Sequence, residues 1–407
     1  MESNYVRVGG KYVLRKRIGG GSFGDIFFGS NLETQGDVAI KLENLNSTFP
    51  QLVNEAKIIR SLRGEGVPKV FWSGTEGNYN IMVMELLGPS LEDIFKTQDR
   101  RMSTKSACMI CDQMIQRIET IHNQDYIHRD IKPENFLFGL NDKESTVYII
   151  DFGLSKKYRE SKTKQHIQYK DKKSLTGTAR YASVYAHQGI DQTRRDDLEG
   201  IIYVFIYFLK GELPWQGLHL KNKQEKYNKI MSVKMSTTVE NLCKGCPSEV
   251  AHLLNYCKGL RFEENPNYNY MREQLASVGR KENFNFDLIF EWNKFNHARA
   301  PEKKQAGQPA LKEAEPQSQQ KHKKQLKKPR KKQGNAQQEI EGEKNPENQG
   351  EIREDDCETV AGHRWPEFCD RQKIFSFRLK SGENSPMKVE TEENTVGKRR
   401  DSGCILF

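Results

Sequence analysis

The hydrophobic pattern changes character near residue 90, and few folds are compatible with that change. Before it, short β-branched or aromatic runs separated by Gly and Asn read as strands at Tyr12–Ile18, Asp25–Ser30, Asp37–Leu42, Val67–Ser73 and Ile81–Glu85. One helical stretch, near Gln51–Arg63, interrupts them. Beyond residue 90, Met114, Ile115, Ile118 and Ile121 recur at helical spacing from Cys111 onward and mark an amphipathic helix. Leu198–Leu209 is apolar nearly all round, as expected of a helix at the centre of a large core. This order predicts a small β-rich lobe followed by a larger helical one. No internal repeat is evident.

A second constraint lies at the other end. Residues 301–338 contain no Phe, Tyr, Trp, Val, Ile or Thr. Such a segment cannot bury enough apolar surface to offset the entropy of ordering it. Residues 301–407 are therefore expected to be largely disordered, with weak order confined to Trp365–Leu379. The folded body is then about 300 residues, one large domain or two small ones.

Charge divides along the same line. Of the net +10, residues 1–300 supply +7 and the remainder +3. Within the tail, Lys321–Lys332 holds eight basic residues and no acidic one, whereas Glu339–Glu358 is mostly acidic. No run of about 18 apolar residues is present to span a membrane. Met1-Glu2-Ser3-Asn4-Tyr5 has neither the basic nor the apolar part of a secretory signal. Eight cysteines in 407 residues do not form a disulfide framework, so a reducing compartment is expected.

Ile18-Gly19-Gly20-Gly21-Ser22-Phe23-Gly24-Asp25-Ile26 places a G-x-G-x-x-G pattern between two strand-like runs. Glycines permit a close backbone approach, so N–H groups can face phosphate oxygens. Alone, the pattern fits a functionless glycine hairpin equally well. A dinucleotide-binding fingerprint fits less well, because a strand and not a helix follows. Lys41 ends the apolar run Val38-Ala39-Ile40, either as a solvated edge residue or as a cation for nucleotide phosphates. In the second reading Glu55, on the following helical stretch, is the carboxylate that positions it.

His128-Arg129-Asp130-Ile131-Lys132-Pro133-Glu134-Asn135 is followed by Asp151-Phe152-Gly153. Phosphoryl transfer needs a carboxylate to orient the attacking hydroxyl and metal ions to bridge phosphate oxygens. Asp130 can accept the hydroxyl proton, and Lys132 can offset charge on the transferred group. Asn135 and Asp151 offer hard oxygen ligands suited to Mg²⁺. A polar turn and an ordinary strand end would be the bland alternative, but all four elements stand in order.

Glycine loop, lysine, catalytic loop and Asp-Phe-Gly together resemble the protein kinase signature over about residues 12–297. Four further strings are similar to the casein kinase I family. They are Met82-Val83-Met84-Glu85-Leu86-Leu87-Gly88-Pro89-Ser90-Leu91, Leu175-Thr176-Gly177-Thr178-Ala179-Arg180-Tyr181-Ala182-Ser183, Arg194-Arg195-Asp196-Asp197-Leu198-Glu199 and Leu213-Pro214-Trp215-Gln216-Gly217. Ser183-Val184-Tyr185 stands where most kinases have Ala-Pro-Glu, a departure the family shares in kind. Ile202 occupies a position where the family has glycine, and basic residues after Gly217 are thinner than usual.

The resemblance implies an α+β, bilobal protein-kinase fold, with an N-lobe at about 12–85 and a C-lobe at about 90–297. It implies a serine/threonine kinase using ATP and Mg²⁺. By the same resemblance Glu85 and Leu87 lie in the interlobe hinge and offer backbone groups to adenine, with Met84 behind it. Arg180, Gly217 and Lys226 fall on an anion site that favours targets preceded, three residues earlier, by a phosphorylated or acidic side chain. Lys156, Lys157, Lys172 and Lys173 share a segment with Arg180, and clustered cations attract anionic substrates on general grounds. A merely solvated basic loop is the alternative.

Cys108-x-x-Cys111 and Cys243-x-x-Cys246 resemble zinc-ligand pairs, but the first lies on a core helix face and packing explains it. His122 and His252 read as structural. The ending Cys404-Ile405-Leu406-Phe407 forms a geranylgeranyl-type prenylation signal on Cys404. One lipid anchors only marginally, and Lys398-Arg399-Arg400 would add attraction to anionic lipid. The Lys321–Lys332 run could assist there, or act as a nuclear-localisation or nucleic-acid patch, and a second rival, a nucleic-acid-binding protein, rests on that tail alone. The expected partners are acidic or pre-phosphorylated proteins and an anionic membrane face in the cytoplasm, with a monomeric kinase domain and no nucleic acid. The rival reading is a catalytically silent kinase fold serving as a membrane scaffold, against which Lys41, Asp130, Asn135 and Asp151 all speak.

Overall fold

The computed structural model describes residues 6–292 except Ser22, Phe23, His219 and Lys221. Its N-terminal part is a six-stranded antiparallel sheet. The strands are β1 (Arg7–Val8), β2 (Tyr12–Gly21), β3 (Gly24–Asn31) and β4 (Asp37–Asn44), then β5 (Val70–Glu76) and β6 (Tyr79–Glu85) after helix α1 (Leu52–Ser61). They are ordered β1-β2-β3-β4-β6-β5. The period of two in β4 sorts its side chains. Val38 and Ile40 join Val8, Tyr12, Ile81 and Val83 in a small core on one side. The intervening residues include Lys41 and Glu43, which bond to the α1 side. On α1 the buried Leu52, Ala56 and Ile59 form one stripe, with Glu55 buried beside them.

All five expected strands form, with shifted limits, and short β1 adds an edge. β2 runs on through its glycines because the ladder continues to Gly21 opposite Gly24. β5 begins at Val70 and not at Val67; Pro68, between them, has no N–H to give a ladder. The helical stretch is shorter than 51–63 at both ends.

The larger part is helical. α2 (Leu91–Thr97) and α3 (Thr104–Asn123) lead to β7 (Tyr126–Ile127), the hairpin β8 (Phe136–Phe138) and β9 (Val147–Ile149), and β10 (Lys156–Lys157), which pairs with β7. Then follow α4 (Val184–His187), α5 (Arg194–Lys210), α6 (Lys223–Ser236), α7 (Val239–Leu242), α8 (Ser248–Gly259) and α9 (Tyr268–Lys281). Every residue of α5 from Arg194 to Phe208 is buried, and the nearly all-round apolar sequence accounts for this from Leu198 onward. Ile202 is fully buried; the close approach on α5 comes at Gly200, where a Cβ would lie 3.0 Å from Ile131. Cys108 and Cys111 are also fully buried in the core, and burial pushes the Cys108 thiol up to about 12.

Two devices fix the joint between the parts. Ser90 and Asp93 form a reciprocal capping box that starts α2 directly after the connecting segment. Beyond α9 the chain returns, and Phe290 stacks on Trp292 with ring centroids 4.8 Å apart while both pack against Phe138. Residues 293–297 of the expected domain and the tail from 301, with Cys404, lie outside the described residues.

Candidate active site

β2 and β3 carry the glycine loop as a hairpin over the site. Gly24 adopts φ +125°, and a Cβ there would lie 2.0 Å from the Leu42 carbonyl, so only glycine fits. Ser22 and Phe23, at the tip, lie outside the described residues. Arg17 and Asp25 pair across the hairpin at 2.8 Å, and Ile18 is half exposed at its base.

Lys41 lies between Ile26 of β3 and Met82 of β6 in the ladder. Its Nζ donates to Glu55 Oε2 at 2.8 Å and to Asp151 Oδ1 at 3.4 Å. Burial alone would favour neutral lysine; the Asp151 and Glu55 carboxylates outweigh it and raise the pKa above the ordinary value. For Asp151, burial is outweighed by Lys41 and Lys132, which hold the carboxyl below its ordinary value. The site thus keeps a fixed cation and a fixed anion side by side at neutral pH.

The catalytic loop is held from beneath. Asp197, in the first turn of α5, accepts the His128 N–H at 2.8 Å and the Arg129 N–H at 2.9 Å. It also meets His122 Nε2 at 2.9 Å, and His122 Nδ1 in turn meets the Tyr268 hydroxyl at 2.8 Å. Arg129 can therefore sit at φ +70°, which turns the next residue into the cleft. Asp151 is likewise left-handed, at φ +65°.

Asp130 is 3 % exposed, and each of its oxygens has partners. Oδ1 accepts from the Thr178 N–H at 2.9 Å and the Thr178 hydroxyl at 2.7 Å. Oδ2 lies 2.7 Å from Lys132 Nζ and accepts from Asn135 Nδ2 at 3.1 Å. Gly177 brings Thr178 in: at φ +93° its hypothetical Cβ would stand 2.2 Å from the Arg129 carbonyl. Asn135 uses its amide N–H₂ on Asp130, whose backbone carbonyl it also bonds at 2.9 Å. That leaves the Asn135 amide oxygen, with the second Asp151 oxygen, as a hard-oxygen donor pair that fits Mg²⁺.

At the hinge, Glu85 closes β6. Its carboxylate accepts from Lys69 N–H at 3.2 Å and from Lys143 at 3.3 Å, so the side chain is used structurally. The Leu87 N–H has no hydrogen bond to the protein among the described residues. Met84 faces Ala39 in the ladder.

Trp215 donates its indole N–H to the Arg180 carbonyl at 2.7 Å, which seats Gly217, at φ +68°, two residues from that contact. Arg180 lies over the Tyr181 ring, 5.7 Å from its centroid. Lys226 is in the first turns of α6 and partly exposed. The wider cation cluster is smaller than its sequence suggests. Lys156 is paired with Asp191 at 3.0 Å, and Lys157 donates to Ser161 at 2.9 Å.

Glu43, Thr178, Asp197 and Tyr268 were not among the sequence candidates. Thr178 and Asp197 occur within the strings quoted above, but nothing in their spacing points to Asp130 or His128. A protein kinase domain model matches residues 12–269. The chain belongs to the protein kinase family. As a kinase it shares that family's general use of ATP and Mg²⁺, and its β-rich N-lobe and helical C-lobe are the two halves between which the cluster around Lys41, Asp130 and Asp151 lies.

Proposed function

We propose that this kinase is catalytically active, transfers the ATP γ-phosphate to serine or threonine in acidic or pre-phosphorylated proteins, and is of the casein kinase I type. The observation that carries the reading is the complete charge set around Asp130. One carboxylate oxygen lies beside Lys132 and the other is bonded by a hydroxyl, that of Thr178, the group a substrate serine or threonine would replace. Asp130 then accepts the proton of the attacking hydroxyl while Lys132 offsets charge on the moving phosphoryl group. Lys41, fixed by Glu55, holds nucleotide phosphates; the backbone of Glu85 and Leu87 serves adenine, and Ile18–Ile26 covers the phosphates. Asn135 and Asp151 would hold Mg²⁺, which supplies positive charge to the phosphates.

Anion preference rests on Arg180, Gly217 and Lys226, and membrane association rests on prenylation at Cys404 beside Lys398, Arg399 and Arg400. The test is phosphate transfer from ATP to a peptide library with Ser, Thr or Tyr acceptors, with and without phosphoserine three residues upstream. Transfer to Ser and Thr, enhanced by the upstream phosphate, is expected. No transfer to any acceptor would replace the reading with that of a silent scaffold. For the anchor, Cys404→Ser is expected to move the protein from membranes to the soluble fraction, and an unlipidated wild-type mass would end that part.

A further inference from the structure

A buried acidic residue on β4 that takes no part in the chemistry above is tied to the start of α1. Glu43 is 2 % exposed. Its Oε1 accepts the Gln51 N–H at 2.6 Å and the Leu52 N–H at 3.1 Å, and its Oε2 accepts from Asn80 Nδ2 at 3.1 Å. Asn80 is itself set by the Thr75 hydroxyl at 2.9 Å. The first amides of a helix have no partners within it, and a carboxylate there also favours the helix dipole. Gln51, the N-cap residue, gives α1 no side-chain cap of its own. Glu43 caps the helix from a different element.

That placement has consequences at both ends of the cluster. Glu43 and Lys41 stand two residues apart on one face of β4, and Glu55 donates its N–H to the Gln51 carbonyl at 2.9 Å. Fastening Gln51 therefore fixes where Glu55 meets Lys41. The Gln51 side chain also closes on the Asp-Phe-Gly turn: its Oε1 is buried without a partner, 2.4 Å from where a Gly153 Cβ would be.

We propose that Glu43 is a positioning residue for phosphoryl transfer, acting through α1 to hold Glu55 on Lys41; this rests on the activity proposed above. Without its carboxylate, α1 keeps its apolar contacts to the core but loses the bond that sets its register against β4. The ammonium of Lys41 then drifts from the phosphates, and turnover falls while peptide binding is untouched.

The experiment is a double-mutant cycle in the full chain with Glu43→Ala, Glu55→Gln and both. Glu43→Ala is expected to lower kcat about tenfold or more with peptide KM unchanged, since charged hydrogen bonds to two amides are lost. In the Glu55→Gln background the same change should alter kcat by less than about twofold, because the residue through which it acts is already silenced. Glu43→Gln, which keeps an oxygen for the Gln51 N–H, should restore most of the turnover. A second readout does not need turnover: acylation of Lys41 by an acyl phosphate of ATP should slow with Glu43→Ala in the wild-type background only. Should Glu43→Ala not fold, Asn80→Ala is expected to reproduce the pattern at smaller amplitude. Equal losses in both backgrounds, or wild-type kcat in Glu43→Ala, would overturn the proposal. A wild-type chain without turnover would instead defeat the proposed activity and leave the Lys41 labelling to decide the positioning role.

Discussion

The catalytic loop and the surface around Arg180 both carry basic side chains and lie close in sequence, yet they are built differently. Asp130 and Asn135 are nearly fully buried, bonded to each other, and seated on Asp197, itself bonded to two backbone amides and His122. Arg180 and Lys226 are partly exposed, and the Arg180 guanidinium lies against the ring and hydroxyl of Tyr181. The contrast separates two tasks. Chemistry needs atoms fixed to a fraction of an ångström, whereas the anion site proposed at Arg180 and Lys226 needs positive charge within reach of solvent.

The sharpest way to break that contrast is at its centre. Asp130→Asn should lower kcat by about 10²–10⁴-fold while ATP affinity stays nearly unchanged, as befits loss of the proton acceptor alone. Steady-state kinetics with nucleotide-binding titration checks it; near-normal turnover would remove Asp130 from its assigned role.

Next in size is the seat beneath the loop. Asp197→Ala leaves two buried backbone N–H groups and His122 without their acceptor, so a loss of about 3–5 kcal/mol is expected. Denaturant unfolding measures it, and a loss under 1 kcal/mol would mean the loop does not depend on this anchor.

The recognition surface should respond more weakly and more selectively. Removing charge at Arg180 and Lys226 together should reduce phosphorylation of a pre-phosphorylated peptide about tenfold more than that of a peptide without acidic residues. Equal losses on the two peptides would erase the division of labour.

The last contrast concerns pH. Burial raises the Asp196 carboxyl to about 7, against bonds from the Ser183 hydroxyl and the Thr193 N–H. A carboxyl raised on folding stabilises fully below its unfolded pKa and loses that contribution as pH rises towards about 7. Asp196→Asn removes this titration, so the melting temperature of the variant relative to wild type should rise between pH 4 and 7. A pH-independent difference would show that Asp196 ionises normally.

Legibility followed the range of the interactions. Lys41, Asp130, Asn135 and Asp151 could be singled out because each stands in a short contiguous motif whose residue types suit the chemistry, and the structure brings Lys41 to Asp151 across 110 positions. The strands could be read from their composition, but their ends depended on ladder partners and on Pro68. Glu43, Thr178 and Asp197 look like ordinary polar residues until partners 8, 48 and 69 positions away come into contact. Lys156 misled for the same reason, since Asp191, 35 positions on, neutralises it.

The returning segment after α9 determines where this chain can be cut. The protein kinase domain match ends at residue 269, the second residue of α9, just past Tyr268, whose hydroxyl supports His122. Glu291 accepts the Ser103 N–H at 3.2 Å at the start of α3, and Phe290 and Trp292 cover Phe138 beneath the hinge. A fragment trimmed to residue 269 would lose Phe290 and Trp292, uncover Phe138 and lose the clasp on α3. A chain cut at residue 269 is therefore expected to be less stable to denaturant than one that keeps α9 and the segment through Phe290 and Trp292.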